Sequence, residues 1–183
     1  MRHQTILKTL IISLVMSLFL LSPVSAKGEM NLSPVPKPVA EYALPFPGLL
    51  PTHPLYFIKN LRDRFLILTT ADPIRKSELF LLLSDKNLAM GIQLWNEQKK
   101  TESIKAFKQG ENYMFQSVQK LIETKKTRTL PPGLIDKVEL SSKKHEELVR
   151  GIIDSSTDSG DQDQLKEVLA LVRQARSEIS ISK

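Results

Sequence analysis

The segment "KKHEELV" at positions 143–149 comes nearest to a catalytic metal motif in this sequence. His145 and Glu146 open the helical His-Glu-x-x-His pattern, in which two imidazoles one turn apart hold zinc and the glutamate acts as a base. The second imidazole would have to stand at position 149, which is Val149. The zinc-protease motif is therefore incomplete, and we predict no metal here.

Carboxylate-bridged metal sites in helical bundles use a different pattern, Glu-x-x-His. The glutamate positions before His145 and His53 hold Ser142 and Leu50, so this pattern fails as well. His145 lies at the edge of an apolar helical stripe. We interpret it as a hydrogen-bonded histidine at the boundary of the core, with a functional role as the alternative.

The acidic segment at 154–163 resembles a calcium-binding loop in composition only. An EF-hand needs glycine at its sixth position and glutamate at its twelfth. Counted from Asp154, those positions hold Ser159 and Leu165. We predict a solvated loop whose carboxylates cap the following helix, with a weak cation site as the alternative.

Residues suited to nucleophilic catalysis are sparse. The seven glycines form no phosphate-binding loop, no Gly-x-Ser-x-Gly segment occurs, and the chain has no cysteine. The pair Glu146-Glu147 is expected on a solvated helix face. The sequence predicts no enzyme activity, no catalytic residue and no cofactor.

Four side chains remain as candidates for an interaction surface, namely Tyr56, Lys59, Trp95 and Tyr113. Aromatic side chains at helical spacing usually enter a core. Trp95 and Tyr113, together with Phe107 and Phe115, also suit a ligand groove, which we place between the second and third predicted helices. Core packing and a groove both remain open.

Residues 1–26 have the pattern of a secretory signal peptide. A basic start with Arg2 and Lys8 precedes the apolar run at 9–21, and small residues lead up to Ala26. The run is too short for a permanent membrane span. We expect export and cleavage before Lys27. The alternative is that residues 1–26 stay on the chain as an anchor, which would then be its only attachment to the membrane.

Charge and composition limit the partners that the exported chain can have. The full chain carries 26 basic and 20 acidic residues, and loss of Arg2 and Lys8 leaves a net charge of +4. This modest excess suits anionic envelope polymers or lipid headgroups and is too weak to indicate nucleic acid. Without cysteine, stability must come from one apolar core.

Residues 27–53 are rich in proline and lack helical or strand periodicity. We predict an extended linker, in which Tyr42, Leu44 and Phe46 either fold back onto the body or face a partner. Residues 54–183 are expected to form the folded domain.

The period then becomes helical, and five helices follow. The first has Ile58, Leu61, Phe65 and Leu68 on one face, which we expect in the core together with Leu55. Pro54 is expected in its first turn. Asp72-Pro73 starts a second helix, which reaches about Lys99 and should pack on more than one side.

The third helix should be capped by Thr101, and Gly91 and Gly110 should allow it close approach to the second. The fourth is expected from about Pro132 to Ile153. The fifth has one apolar face, made of Leu165, Val168, Leu169, Val172, Ala175 and Ile179. No segment shows strand alternation, so we predict an all-α antiparallel bundle.

Two segments, "LPTHPLYFIKNLRDRF" and "DPIRKSELFLLLSDKNLAMG", resemble the bacterial family catalogued as domain of unknown function 5667. The shared pattern is Pro-x-x-Pro-Leu-Tyr-x-x-Lys followed by Asp-Pro-x-x-Lys-x-Glu-Leu, and the resemblance covers about residues 48–125. A third element departs from the family, with Ser84 in place of alanine and Asn87 in place of arginine.

The resemblance implies an exported or membrane-attached helical protein and implies no activity. Together these features predict a non-enzymatic extracytoplasmic protein of the cell envelope that contacts an envelope protein or an anionic polymer. The alternative is a periplasmic-type sensing domain that binds a small molecule in the groove. The oligomeric state is left open.

Overall fold

The computed structural model describes residues 41–182, which contain five α-helices and no strand. The predicted signal peptide at 1–26 and the first part of the predicted linker lie outside these residues. The helices are α1 (Tyr56–Thr69), α2 (Pro73–Asn96), α3 (Lys100–Lys125), α4 (Leu134–Ser155) and α5 (Ser159–Ile181). The all-α bundle is confirmed.

Two of the helix starts follow the predicted capping chemistry. The Asp72 carboxylate accepts hydrogen bonds from the backbone N–H groups of Ile74 and Arg75, both at 3.0 Å, and Pro73 opens α2. Asp158, in the acidic loop, caps α5 by accepting from the N–H of Asp161 at 2.8 Å. These carboxylates satisfy N–H groups that have no partner within the helix.

The predicted cap of α3 was wrong. The helix begins at Lys100, its cap residue is Lys99, and no side chain accepts a hydrogen bond there. Thr101 lies inside the first turn. The connection between α2 and α3 is too short to leave Thr101 outside the helix. Within this connection Gln98 has a positive φ of 62°.

The second and third helices form an antiparallel hairpin with an intimate interface. Ser77 lies opposite Ser117, where the two hydroxyls are 3.0 Å apart, and the Ser103 hydroxyl donates to the Gly91 carbonyl at 2.7 Å. A Cβ atom at Gly91 would overlap the Phe107 ring, and one at Gly110 would approach the Ser84 carbonyl at 3.2 Å. The close approach predicted at both glycines is confirmed.

The core lies on both sides of this hairpin. From Leu83 to Gly91 every residue of α2 except Lys86 is buried, which confirms that this helix packs on more than one side. The apolar face of α5 is buried as predicted, since all six of its residues lie in the core. Antiparallel to it, α4 closes the bundle through Leu134, Val138 and Val149.

The orientation of α1 was predicted wrongly. Leu55, Ile58, Leu61, Phe65 and Leu68 all point to solvent and expose between 43% and 81% of their surface. The buried residues of this helix are instead polar, Lys59 and Asp63. Among the other helices α1 packs chiefly on α2. Within residues 41–182 no helix combines the length and apolarity needed to cross a bilayer.

The segment before α1 lies against the bundle. Tyr42 donates a hydrogen bond to Asp85, Leu44 packs on core residues, and Pro47 is buried. Folding back of Tyr42 and Leu44 is therefore confirmed, whereas Phe46 is exposed. Pro54 precedes the helix, which begins at Tyr56, and the N–H of Leu55 donates to the His53 ring.

Candidate functional site

The histidine singled out from the sequence lies at the centre of a buried ionic network. His145, on α4, has no exposed surface and therefore does not lie at the core boundary, where we had predicted it. Its Nδ1 lies 2.8 Å from Glu111 Oε1 on α3, and its Nε2 lies 3.1 Å from Asp85 Oδ1 on α2. One imidazole thus joins three helices.

Two hydroxyl groups complete the shell around the Asp85 carboxylate. Ser141, one turn before His145, donates to Oδ1 at 2.6 Å, and Tyr42 donates to Oδ2 at 2.6 Å. The second carboxylate oxygen of Glu111 is buried and has no hydrogen-bond partner, and the same is true of the hydroxyl of Ser84. The shell is therefore complete around one carboxylate and open around the other.

The charges in this network support one another. Burial by itself lowers the pKa of His145, but the Glu111 and Asp85 carboxylates outweigh it and raise that pKa to about 9. His145 is therefore an imidazolium at neutral pH, and both ring N–H groups donate to carboxylates. Burial, and then the hydrogen bond to Asp85, raise the pKa of the Tyr42 phenol, which stays protonated.

This arrangement is poorly suited to catalysis or metal binding. An imidazolium that donates from both nitrogens has no lone pair for a metal ion or for a substrate proton. The Ser141 hydroxyl donates to a carboxylate, so it is not activated by the histidine. Within residues 41–182, no group of three acidic or histidine side chains is placed to hold a metal ion.

The sequence reasoning did not identify Asp85 and Glu111 as partners of His145. Two signals were available. Asp85 lies within the stretch of α2 predicted to pack on more than one side, and Glu111 falls one turn from Phe107 on the apolar stripe of α3. A carboxylate on such a stripe is buried, and a buried carboxylate needs a cation.

The residue after His145 is also in an ionic cluster. Glu146 is only 7% exposed, and its carboxylate contacts the guanidinium groups of Arg150, Arg173 and Arg176. Its burial raises its pKa, but the three arginines outweigh this and lower that pKa to about 2. The expectation that Glu146 lies on a solvated face was wrong, because α5 packs beside α4 and supplies two of the arginines.

Three of the four predicted interaction residues lie on or beside the inner side of α1. Lys59 is 8% exposed, with its Nζ 5.2 Å from the centre of the Tyr56 ring. Tyr56 is half-buried and contacts the sulfur of Met90, and Tyr113 is half-buried against Phe80. Burial lowers the pKa of Lys59 and raises the pKa values of both tyrosines.

The fourth, Trp95, lies at the other end of α2, where it is 8% exposed and packs in the core with the Nζ of Lys100 3.3 Å from its ring centre. The four side chains therefore form no single exposed surface. The interaction surface that they were expected to build stays a prediction.

The predicted groove between α2 and α3 is filled at its middle. Phe107 occupies the space beside Gly91, and Asn87 and Ser84 lie against Gly110. A surface depression of about 690 Å³ lies instead at the connection between α3 and α4, beside Arg128, Leu130 and Ile135.

The outward side of α1 is the feature of the described chain that most resembles a binding surface. We call the side chains of Phe57, Ile58, Leu61, Phe65 and Leu68 the α1 apolar face. Soluble proteins rarely expose so many large apolar side chains side by side unless they bind something.

No family model matches this chain, and neither a curated protein nor a solved structure matches it. The resemblance to the family of unknown function therefore stays a prediction from the residues. Function has to be argued from the chain itself.

Proposed function

We propose that this chain is a non-enzymatic interaction module that works on the extracytoplasmic side of the cell envelope. The observation that carries the proposal is the α1 apolar face, which the described residues 41–182 leave exposed. The pattern of residues 1–26 supports export. In this proposal the envelope supplies the surface that covers α1.

The buried network fits a module whose task is to hold a shape. The Asp85–His145–Glu111 network joins α2, α3 and α4, and both ring nitrogens of its imidazole are engaged with carboxylates. Buried charges of this kind favour one arrangement of helices over others. Such a core would present α1 in a fixed orientation.

Photo-crosslinking in intact cells tests the proposal. Benzoylphenylalanine is incorporated in place of Leu61, and in a matched control in place of Gln164, which is exposed on α5. We expect crosslinks to an envelope component from position 61 only. Fractionation should find the unlabelled chain with the envelope, and Leu61→Asp combined with Phe65→Asp should release it.

Three results would contradict the proposal or its assignment to α1. Equal crosslinking from positions 61 and 164 would mean that the α1 apolar face has no specific occupant. Recovery of the chain from the cytoplasm would contradict the extracytoplasmic location. Retention of the double variant in the envelope would mean that the binding surface does not lie on α1.

A further inference from the structure

We propose that the α1 apolar face docks into the interfacial region of an anionic lipid bilayer, with α1 lying in the membrane plane. This inference rests on the proposed function, and it names the partner that the proposed function leaves open. The shape, the charge and the size of the face each favour this partner.

The shape is that of a single amphipathic ridge. With successive residues about 100° apart around the helix, the five apolar side chains fall within an arc of about 100°. Three of them are more than 60% exposed, namely Phe57, Leu61 and Leu68. Phenylalanine and leucine on one side of a helix are typical of helices that lie in the headgroup region.

The charge around the ridge is basic. Arg64 and Arg62 flank the apolar arc on its two sides, and both are exposed. The only acidic residue of α1, Asp63, points inward, where it pairs with Arg62 at 2.7 Å. Arg64 on one border can reach lipid phosphates while the apolar side chains enter the acyl region, and Arg62 on the other border, 52% exposed beside Asp63, adds to the basic charge.

The size of the face favours a membrane over a second copy of the chain. α1 has 14 residues and is therefore about 21 Å long. Its five outward side chains are 43% to 81% exposed, which leaves on the order of 500 Å² of apolar accessible surface. A stable protein interface buries about 800 Å² on each partner. A bilayer needs no complementary shape and accepts a narrow convex ridge.

The length also sets the orientation. A helix of about 21 Å is shorter than the roughly 30 Å hydrocarbon core, so α1 cannot cross it. The inner side of α1 carries Lys59 and Asp63 and rests on α2, which keeps that side away from lipid. The bundle would then be attached to the membrane surface through α1.

A fluorescent probe of the helix surface tests the inference on the full chain. Because the sequence has no cysteine, Leu61→Cys gives one labelling site for nitrobenzoxadiazole, and Gln164→Cys on α5 gives the matched control. Each labelled chain is mixed with vesicles of phosphatidylglycerol and phosphatidylcholine that contain a lipid with a shallow doxyl quencher. A site-specific probe reports insertion of α1 even if residues 1–26 also bind the vesicles.

We expect the probe at position 61 to shift to the blue and to be quenched at least fivefold more than the probe at 164. Combining Leu61→Cys with Arg62→Gln and Arg64→Gln should weaken this binding about tenfold or more, since each basic residue near an anionic surface favours binding. Pure phosphatidylcholine vesicles, or 0.5 M salt, should weaken it as well. Circular dichroism checks that each variant keeps its helices.

Two outcomes would overturn the inference, and they have different consequences for the proposed function. If the probe at 61 is protected without lipid and the chain forms dimers, a second copy covers the face, and the interaction module stands. If the probe at 61 stays in water with vesicles and position 61 also fails to crosslink in cells, the inference and the proposed function both fail.

Discussion

At the residue scale, His145 decides how three helices meet. Its two ring nitrogens engage carboxylates from α2 and α3, and it has no contact with water. Taking one partner from a buried ion pair costs about 3–5 kcal/mol, because the remaining charge stays buried. Neutralising the whole network at once avoids that penalty.

Stability should fall at alkaline pH because of this histidine. The pKa of His145 rises from the ordinary 6.5 to about 9 in the folded protein. Its contribution is therefore fully present below pH 6.5 and is lost as the pH rises through 9. We expect the free energy of unfolding in urea to drop by on the order of 2–3 kcal/mol over this window.

The control for that experiment is the neutral triple variant Asp85→Asn, Glu111→Gln and His145→Gln. It keeps the shapes of the two carboxylic side chains, replaces the imidazole by a neutral amide and leaves no ionisable group in the network. We expect its free energy of unfolding to change much less between pH 6.5 and 9. An equally steep loss in the variant would assign the effect to other groups.

Glu146 predicts the opposite dependence at acid pH. Its pKa is lowered to about 2, so its contribution is present above the ordinary value of 4.5 and is lost as the pH falls towards 2. The three arginines are partly exposed, which limits the effect to about 1 kcal/mol after solvent screening. In Glu146→Gln the urea midpoint should depend less on pH between 4.5 and 2.5 than in the unchanged protein. An equal dependence on pH in both proteins would contradict this account.

At the scale of the elements, local sequence predicted most helix boundaries. Asp72-Pro73 and Asp158 act through their own side chain and backbone, so a short segment contains the whole signal. The orientation of the apolar side of α1 could not be predicted in this way. Hydrophobic periodicity shows that one side of a helix is apolar, but it does not show what that side contacts. The same spacing suits a core or a membrane.

The partners of His145 are also non-local. Asp85 and Glu111 lie 60 and 34 residues away along the chain, and they meet the histidine only once α2, α3 and α4 have packed. The register of α2 against α3 brings these side chains together, and that register depends on the close approach of the helices at Gly91 and Gly110. The sequence showed those glycines but not what they would bring together.

Gly91→Ala tests that register. The new methyl group would overlap the ring of Phe107, which has no exposed surface and little room to move. Overpacking of this kind costs about 1–3 kcal/mol, which we expect as a lower urea midpoint.

Gly151→Ala is the matched control for Gly91→Ala, because Gly151 lies within α4 and a Cβ there meets nothing within 4 Å. Alanine has the higher helix propensity, so this change should stabilise the protein by about 0.5–1 kcal/mol. Equal effects of the two substitutions would show that propensity, and not the contact with Phe107, determines the result.

At the scale of the whole molecule, the chain divides its tasks along its length. The first residues have the pattern of an export signal, α1 presents an apolar face, and α2 to α5 provide the rigid body. Apolar residues are therefore used in two ways. In α2 to α5 most of them are buried, whereas the large apolar side chains of the α1 apolar face are exposed and Lys59 and Asp63 are buried.

Export makes a prediction that mass spectrometry can check. Cleavage after Ala26 gives a mature chain that begins at Lys27. We expect the intact mass of the chain recovered from the envelope to match residues 27–183. A mass that includes Met1 would mean that the apolar run is kept as an anchor.

The segment before α1 should be held to the bundle by a single strong contact. The Tyr42 hydroxyl donates to Asp85 Oδ2 at 2.6 Å, and Leu44 and Leu50 add apolar contacts. Tyr42→Phe removes the hydrogen bond and keeps the ring. A hydrogen bond to a charged acceptor contributes about 1.5–3 kcal/mol, and partial exposure places this one near the lower end.

Opening of the segment should therefore become about tenfold more frequent in Tyr42→Phe, while the global unfolding of α2 to α5 changes less. The rate at which a thiol reagent labels Leu44→Cys, the only cysteine of such a variant, measures this opening in both backgrounds. Phe46→Ala is the control, because Phe46 is 72% exposed and its removal should leave the labelling rate unchanged. An unaltered labelling rate in Tyr42→Phe would mean that apolar packing alone holds the segment, and the buried network would then end at Asp85 instead of reaching the chain before α1.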